Sequence, residues 1–175
     1  MFNSAFDGIG AKPGDYYPEA KRAEIDALNA RIYETVNNGV YKTGFAGTQS
    51  AYEEAANALF ATLDWLEARL ADRRFLLGDA PTEADWRLFP TLLRFDPVYV
   101  GLFKCNVRRI ADCPRLSAFL ERLARWPGVA ETIDFGHIKG HYYESLRMVN
   151  PNGIVPLGPA PPAWAADLGL DGAST

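Results

Sequence analysis

The segment that most constrains the fold of this chain is residues 75–86, where a glycine-containing loop leads into a helix start. Thr82 lies at the N-cap position and Asp85 follows three residues later. This is the spacing of a capping box, in which two side chains satisfy N–H donors that the first helical turn leaves without a partner. Glu83 and Asp85 also place negative charge at the positive end of the helix dipole. The segment therefore predicts a helix that begins after Thr82.

Apolar residues recur at helical spacing in further segments, which indicates amphipathic helices. The predicted helices cover residues 19–36, residues 49–72, the stretch from Thr82 to Asp96, a segment carrying Leu116, Phe119, Leu120 and Leu123, and residues 135–146. Asn37-Asn38-Gly39 predicts the end of the first helix. Asp96-Pro97 predicts the end of the capped helix, with a loop over residues 98–111. No strand is indicated, so the expected fold class is all-α, a helical bundle.

The chain is expected to have three parts. These are an irregular N-terminal arm over residues 1–18, a helical domain over residues 19–148, and an irregular tail rich in Pro and Gly over residues 149–175. A net charge of −4 argues against a nucleic-acid-binding protein, and no apolar stretch approaches membrane-spanning length. Two cysteines without histidines at zinc spacing predict neither a disulfide scaffold nor a metal site, and they favour a cytoplasmic setting.

Several motifs between about residues 31 and 159 together resemble the C-terminal domain of the glutathionyl-hydroquinone reductases, the omega-like xi class of glutathione S-transferases. The loop and capping box at residues 75–86 resemble those of the helical domain of any glutathione transferase. More specific are Asn37-Asn-Gly-Val-Tyr41, Arg94-Phe-Asp-Pro-Val-Tyr-Val-Gly101, Phe103-Lys-Cys-Asn106, His137-Ile-Lys-Gly-His-Tyr-Tyr143 and Asn150-Pro-Asn-Gly-Ile-Val-Pro-Leu-Gly158, which follow one another in the family's order.

The resemblance implies a two-domain enzyme with glutathione as co-substrate and a homodimer formed through the helical domain. In the family, a thioredoxin-like domain binds glutathione and carries a nucleophilic Cys. Its thiolate takes the glutathionyl group from a quinol, and a second glutathione resolves the mixed disulfide. No thioredoxin-like pattern precedes the helices here. We therefore expect a C-terminal fragment that lacks the nucleophile and is inactive alone.

Three tyrosines are the candidate substrate-binding residues. The resemblance implies that Tyr41, Tyr99 and Tyr142 line the quinol pocket. A phenol can donate a hydrogen bond to a quinol oxygen and stabilise negative charge that develops there. Its ring also offers a flat apolar wall to an aromatic substrate. Tyr143 lies on a different face of the same helix and is expected to be a core or surface residue.

Two cysteines are weaker candidates for chemistry. Cys113 precedes Pro114 at a predicted helix start, where a thiol can have a lowered pKa, but its neighbours are those of an ordinary helix N-terminus. Cys105 lies near Lys104 and Arg108, which favour a thiolate if the site is open. Because free Cys is among the most buried residue types, a packed structural thiol is the preferred interpretation of Cys105.

Charged residues near the tyrosines have a structural interpretation as well. Arg87 and Arg94 share a helix face and are expected to hold a carboxylate such as Asp85 or Asp96, with glutathione binding as the less favoured alternative. His137 and His141 have helical i, i+4 spacing but no third ligand nearby, so no metal site is predicted there.

Two functions from different classes remain open at this stage. One is the quinol-binding domain of a glutathionyl-hydroquinone reductase. The other is a non-enzymatic assembly module, because helical transferase-like domains can bind protein partners and fold alone does not fix function. Quinol binding that depends on the tyrosines would distinguish the first from the second.

Overall fold

The computed structural model describes residue 3, residues 5–10 and residues 14–170. Within these ranges the chain is helical and contains no β-strand, which confirms the all-α prediction. The α-helices are α1 (Arg22–Ile32), α2 (Gly39–Gly44), α3 (Gln49–Arg69), α4 (Glu83–Arg94), α5 (Val100–Leu102), α6 (Pro114–Ala124), α7 (Phe135–Ser145) and α8 (Ala163–Asp167). Wider π-helical turns occupy Tyr33–Asn37 and Phe95–Tyr99, and short 3-10 turns lie at Asp7–Ile9, Glu19–Lys21, Ile110–Asp112 and Ala130–Thr132.

The core is formed by the apolar faces of these helices. α1 contributes Ile25, Leu28 and Ile32, α3 contributes Leu59, Leu63 and Leu66, and α6 contributes Leu116, Phe119, Leu120 and Leu123. These positions match the helical periodicity of the sequence. Burial of each such side chain stabilises the fold by about 1.5–3 kcal/mol. Isolated helices of this length are only marginally stable, so most of the stability of these helices comes from this packing.

The capping box that opens α4 is present. Asp85 is fully buried, and its carboxylate accepts hydrogen bonds from the backbone N–H of Thr82 at 2.7 Å and from the Thr82 hydroxyl at 2.9 Å. It also accepts the N–H of Leu76 at 2.8 Å, so the same side chain fixes the preceding loop. Burial raises the pKa of Asp85, and these hydrogen bonds oppose that shift.

The predicted helix end at Asn37-Asn38-Gly39 is wrong. α1 continues through the π turn into α2, and Asn38 has right-handed helical dihedral angles of −81° and −28°. The amide of Asn37 is engaged elsewhere, since it donates to the carbonyl oxygen of Arg87 and, at 2.6 Å, to the hydroxyl of Thr91 on α4. The Asn37 side chain therefore makes tertiary hydrogen bonds to α4, and the helix does not end there.

The predicted helix end at Asp96-Pro97 is also wrong. The loop predicted over residues 98–111 is wrong in its extent, because helical turns occupy both of its ends. Regular α4 stops at Arg94, but the chain remains helical through Phe95–Tyr99 and α5. The N–H of Val100 donates to the carbonyl oxygen of Phe95, and this wide turn passes over Pro97, which has no N–H to contribute. The Asp96 carboxylate instead accepts the N–H groups of Ile110 and Ala111.

The terminal regions are less irregular than expected. In the arm, the carbonyl oxygen of Tyr16 accepts the N–H of Glu83 at 2.7 Å, which ties the arm to the start of α4. In the tail, α8 forms at a position where the sequence shows no periodicity. It buries Trp164 and is tied to α6 by an Arg125–Asp167 ion pair at 2.9 Å. The boundaries at residues 18 and 148 stay predictions.

No helix in the described ranges is long and apolar enough to cross a membrane. In the same part of the chain, no group of three or more His, Cys, Asp or Glu side chains is placed to hold a metal ion.

Candidate functional site

The three candidate tyrosines meet at one point, although they come from three separate elements. Tyr41 lies on α2, Tyr99 ends the π turn after α4, and Tyr142 lies on α7. The Tyr41 and Tyr142 hydroxyl oxygens are 2.7 Å apart, and those of Tyr99 and Tyr142 are 2.9 Å apart. Both distances are those of O–H···O hydrogen bonds, so Tyr142 joins the other two phenols into a chain.

Exposure changes along this chain of hydroxyl groups. Tyr99 is 2% exposed, Tyr142 is 8% exposed and Tyr41 is 38% exposed. The chain therefore runs from the core to the surface, and Tyr41 forms its accessible end.

The order of donors follows from this burial. The buried hydroxyl of Tyr99 lies 2.9 Å from that of Tyr142 and also interacts with that of Tyr41. An O–H donor left without an acceptor costs more than an unused lone pair. We infer that Tyr99 donates to Tyr142 and that Tyr142 donates to Tyr41. In this order the hydrogen of the Tyr41 hydroxyl is available to a further acceptor. A donor whose oxygen already accepts a hydrogen bond is strengthened by it.

The surroundings of the two inner phenols, Tyr99 and Tyr142, raise their pKa values. Burial and the hydrogen bond with Tyr41 raise the pKa of Tyr142 to about 12, and the hydrogen bond with Tyr99 opposes that shift. Burial and the contact with Tyr142 raise the pKa of Tyr99 far above its usual range. Tyr99 and Tyr142 are thus neutral hydrogen-bond donors at physiological pH.

Aromatic rings surround the hydroxyl groups. Phe103 stacks on Tyr99 with ring centroids 5.4 Å apart and an interplanar angle of 12°. Tyr99 and Tyr142 meet edge to face at 5.5 Å, and Phe45 lies nearly parallel to Tyr41 at 6.3 Å. Phe45 is 39% exposed, so it forms a flat apolar surface beside the accessible phenol.

A helix cap holds the aromatic segment in place. The N–H of Cys105 donates to the carbonyl oxygen of Tyr99 at 2.9 Å, and Lys104 between them has a left-handed φ of 57°. This hydrogen bond closes the C-terminal end of the helical segment, and Lys104 adopts the left-handed conformation at a position where Gly is usual. The Lys104 carbonyl oxygen accepts the Tyr52 hydroxyl at 2.9 Å, which attaches the cap to α3.

Neither cysteine has the exposure or the lowered pKa of an activated thiol. Cys105 is fully buried and burial raises its pKa to about 12, which agrees with the structural interpretation. Cys113 precedes Pro114, the first residue of α6, but it is 7% exposed and burial raises its pKa as well. Neither forms a disulfide. A thiol with a raised pKa is almost entirely protonated at neutral pH and is a poor nucleophile.

The expected partners of the two arginines are wrong. Arg87 pairs with Glu83 at 2.7 Å, and Arg94 donates to the carbonyl oxygen of Pro90 at 2.9 Å. Asp85 and Asp96 are held by backbone N–H groups, as described above, and are not available to them. Tyr143, by contrast, behaves as expected, because it is buried and its hydroxyl donates to the carbonyl oxygen of Val98 at 3.4 Å.

A separate cavity of about 580 Å³ lies between α4, α7 and the tail, away from the tyrosines. Its charged groups are satisfied within the chain: Lys139 donates to the carbonyl oxygen of Leu157 at 3.1 Å, and Arg109 pairs with Asp112 at 2.7 Å.

Sequence reasoning missed two aromatic residues of the cluster, Phe45 and Phe103. Both lie within or next to the motifs that carry the family resemblance, but a Phe has no polar group to mark it as part of a site. The available signal was the concentration of aromatic residues in the short segments around Tyr41 and Tyr99.

Comparison with known proteins places the chain among glutathione transferases. Residues 49–122 match the model of the glutathione S-transferase C-terminal domain. The chain is 62% identical over 162 residues to the glutathionyl-hydroquinone reductase PcpF of Sphingobium chlorophenolicum, covering 93% of this chain and 52% of PcpF. The glutathione-bound structure of YqjG from Escherichia coli is 54% identical, with a TM-score of 0.88, covering 91% of this chain and 52% of YqjG.

The glutathione S-transferase Xi from Phanerochaete chrysosporium gives the same result at 50% identity and a TM-score of 0.88, covering 92% of this chain and 56% of that structure. The chain spans about half the length of the curated relatives it matches. By sequence and by fold, the chain therefore belongs to the glutathione S-transferase family, as a helical domain of the C-terminal type related to the glutathionyl-hydroquinone reductases.

Proposed function

We propose that this chain supplies the hydroquinone-binding surface of a glutathionyl-hydroquinone reductase. The observation that carries the proposal is the ordered chain of phenols, which ends at the accessible hydroxyl of Tyr41. The names of the relatives supply the substrate class. Hydroquinone is a planar ring with polar oxygens, and it requires a flat apolar surface and a hydrogen-bond donor at its rim.

In this proposal each aromatic residue has a defined task. Phe45 contacts the face of the substrate ring, and the hydroxyl of Tyr41 donates to a quinol oxygen. Tyr142 donates to Tyr41 and Tyr99 donates to Tyr142, so the inner phenols stabilise negative charge that reaches the Tyr41 oxygen. The proposed direction of the chain rests on the burial of Tyr99, whose hydroxyl lies 2.9 Å from that of Tyr142.

Glutathione is the proposed co-substrate, and the nucleophilic thiolate is not one of the two cysteines of this chain. Both are buried with raised pKa values. When this chain alone is mixed with a glutathionyl-hydroquinone and excess glutathione, we expect no turnover above the uncatalysed rate. Robust turnover would mean that one of these thiols, or another group of the chain, performs the chemistry.

The binding proposal is tested by titrating the chain with unsubstituted para-hydroquinone and following the ring signals of isotope-labelled tyrosine by NMR. Tyr41→Phe and Tyr142→Phe are expected to raise Kd about tenfold. Tyr33→Phe removes a hydroxyl from a tyrosine that is 56% exposed and outside the cluster, and it is the matched control. Benzene keeps the apolar ring but has no oxygen to accept a hydrogen bond from Tyr41, so it separates stacking from recognition of the quinol oxygen.

No detectable binding of hydroquinone by the unmodified chain, together with a stable protein partner recovered from its host, would instead support the assembly module. If the Tyr41→Phe and Tyr33→Phe variants bind para-hydroquinone with equal affinity, the Tyr41 hydroxyl does not contribute to binding and this part of the proposal is wrong.

Homodimerisation and a cytoplasmic location complete the proposal. Exposed apolar side chains at Met148, Ile154 and Leu157 provide surface that association could cover. Unpaired thiols fit a reducing compartment. Sedimentation of a clean monomer at high protein concentration would contradict the dimer.

A further inference from the structure

Gly44, the last residue of α2, lies unusually close to Phe103. A Cβ atom placed on Gly44 would be 2.3 Å from Cγ, 2.4 Å from Cδ1 and 2.7 Å from Cβ of Phe103. Such distances are well inside van der Waals contact, so one of the two residues would have to move. Gly39, in the same helix, differs: its Cβ would be 3.7 Å from Leu59, an ordinary contact.

Backbone conformation does not explain the glycine at position 44. Gly44 is helical and is not among the glycines with positive φ in the described ranges. Glycine is a poorer helix former than alanine, so its presence in a short helix runs against local propensity. The close approach of Phe103 is the feature that requires it.

Phe103 links Gly44 to the candidate site. Its ring is fully buried and contacts all three tyrosine rings, with centroid distances of 5.4 Å to Tyr41, 5.4 Å to Tyr99 and 6.2 Å to Tyr142. A displacement of this ring must therefore change the positions of the phenols around it.

Phe103 cannot move away from Gly44 without disturbing the cap that holds it. Its N–H donates to the carbonyl oxygen of Tyr99 at 3.2 Å, and the next hydrogen bond joins Cys105 to the same oxygen at 2.9 Å. The thiol of Cys105 in turn lies 3.9 Å from the carbonyl oxygen of Val40 on α2. α2 and residues 103–105 are thus packed against each other at Val40 as well as at Gly44.

We propose that Gly44 is a positioning residue of the hydroquinone site: by having no side chain, it lets Phe103 seat against the tyrosines and set the contacts between their hydroxyl groups. The consequence for ligand binding rests on the function proposed above, whereas the consequence for the tyrosine geometry does not. Gly44 acts through Phe103 and has no contact with the ligand in this proposal.

The test compares Gly44→Ala with Gly39→Ala in the full chain. Both add one methyl group to α2, and both replace glycine by a better helix former. Gly44→Ala is expected to shift the NMR ring signals of Tyr99 and Tyr142 and to raise the Kd for para-hydroquinone about tenfold or more. Gly39→Ala is expected to leave those signals in place and to bind within about twofold of the unmodified chain.

Unchanged tyrosine signals in a folded Gly44→Ala variant would overturn the proposal, and so would unchanged binding. If Gly44→Ala does not fold, Phe103→Leu decides the matter, because it removes the ring without creating a clash. It is expected to shift the same signals and weaken binding, and a Phe103→Leu variant that leaves both unchanged would also overturn the proposal. If the unmodified chain binds no hydroquinone, the proposed function fails, and the positioning role is then judged from the tyrosine signals alone.

Discussion

Replacement of Tyr142 by Phe is expected to destabilise the fold more than the same change at either neighbouring tyrosine. Tyr142 is the central phenol, so its loss breaks the 2.7 Å contact with Tyr41 and the 2.9 Å contact with Tyr99. The loss also leaves the hydroxyl of Tyr99, which is 2% exposed, without its acceptor. Tyr99→Phe removes one contact and leaves no buried donor unpaired, because Tyr142 can still donate to Tyr41.

The magnitude follows from these contacts. A hydrogen bond contributes about 0.5–1.5 kcal/mol net, and a buried unsatisfied donor costs about 1–3 kcal/mol. We therefore expect a loss of about 2–4 kcal/mol for Tyr142→Phe and about 0.5–1.5 kcal/mol for Tyr99→Phe. The lower value for Tyr142→Phe applies if the Tyr41 hydroxyl, which also interacts with Tyr99, takes over as acceptor. Tyr41→Phe, at the exposed end, is expected to cost about 1 kcal/mol or less.

Equilibrium unfolding in urea measures these differences, with Tyr33→Phe as the control for loss of an exposed hydroxyl. The double variant Tyr99→Phe/Tyr142→Phe is the sharpest measurement, because it removes the orphaned donor together with its acceptor. Its cost is expected to be at least about 1 kcal/mol smaller than the sum of the two single changes. Strictly additive costs, or a Tyr142→Phe variant no less stable than Tyr99→Phe, would refute the ordered chain of donors.

Three further predictions concern single features. Asp85→Asn leaves at least one buried N–H of Leu76 or Thr82 poorly satisfied, and chemical denaturation is expected to show a loss of about 2–4 kcal/mol. Lys104→Gly relieves a left-handed φ of 57° and is expected to raise the free energy of unfolding by about 0.5–1 kcal/mol, unless the Lys side chain itself stabilises the cap. At alkaline pH the inner phenols stay protonated in the fold, with a pKa of about 12 for Tyr142 against 10.0 when unfolded. Stability is therefore expected to fall as pH rises from about 10 to 12, by up to about 1.4 kcal/mol per unit for each group, and the fall should be shallower in the Phe variants.

Much of the fold could be predicted from the sequence, because most of its helices bury one face against a common core. The periodicity of Ile25, Leu28, Ile32 and Val36 specifies a helical face wherever the remaining elements lie, and all four side chains are buried. The short helix α8 could not be predicted in this way. Its five residues are fewer than two helical turns, and burial of Trp164 against the rest of the chain stabilises it.

The candidate site was predictable only in part. The family resemblance indicated Tyr41, Tyr99 and Tyr142, and the structure brings their hydroxyl groups together, but their role in binding stays a prediction. Their order from core to surface depends on tertiary packing and has no counterpart in the sequence. The same holds for Phe103, whose contacts with the tyrosines depend on how closely α2 approaches residues 103–105.

The two wrong predictions of helix ends have a common physical origin, and both lie directly before a site tyrosine. Each falls at a π turn, Tyr33–Asn37 before Tyr41 and Phe95–Tyr99 with Tyr99 itself as its last residue. One extra residue in a turn rotates all following side chains by about 100° relative to a continuous α-helix. At both turns a polar side chain makes a tertiary hydrogen bond, as described for the Asn37 amide and the Asp96 carboxylate. The local signals therefore fail where tertiary contacts hold a π turn, and each of these turns sets the direction of a candidate tyrosine.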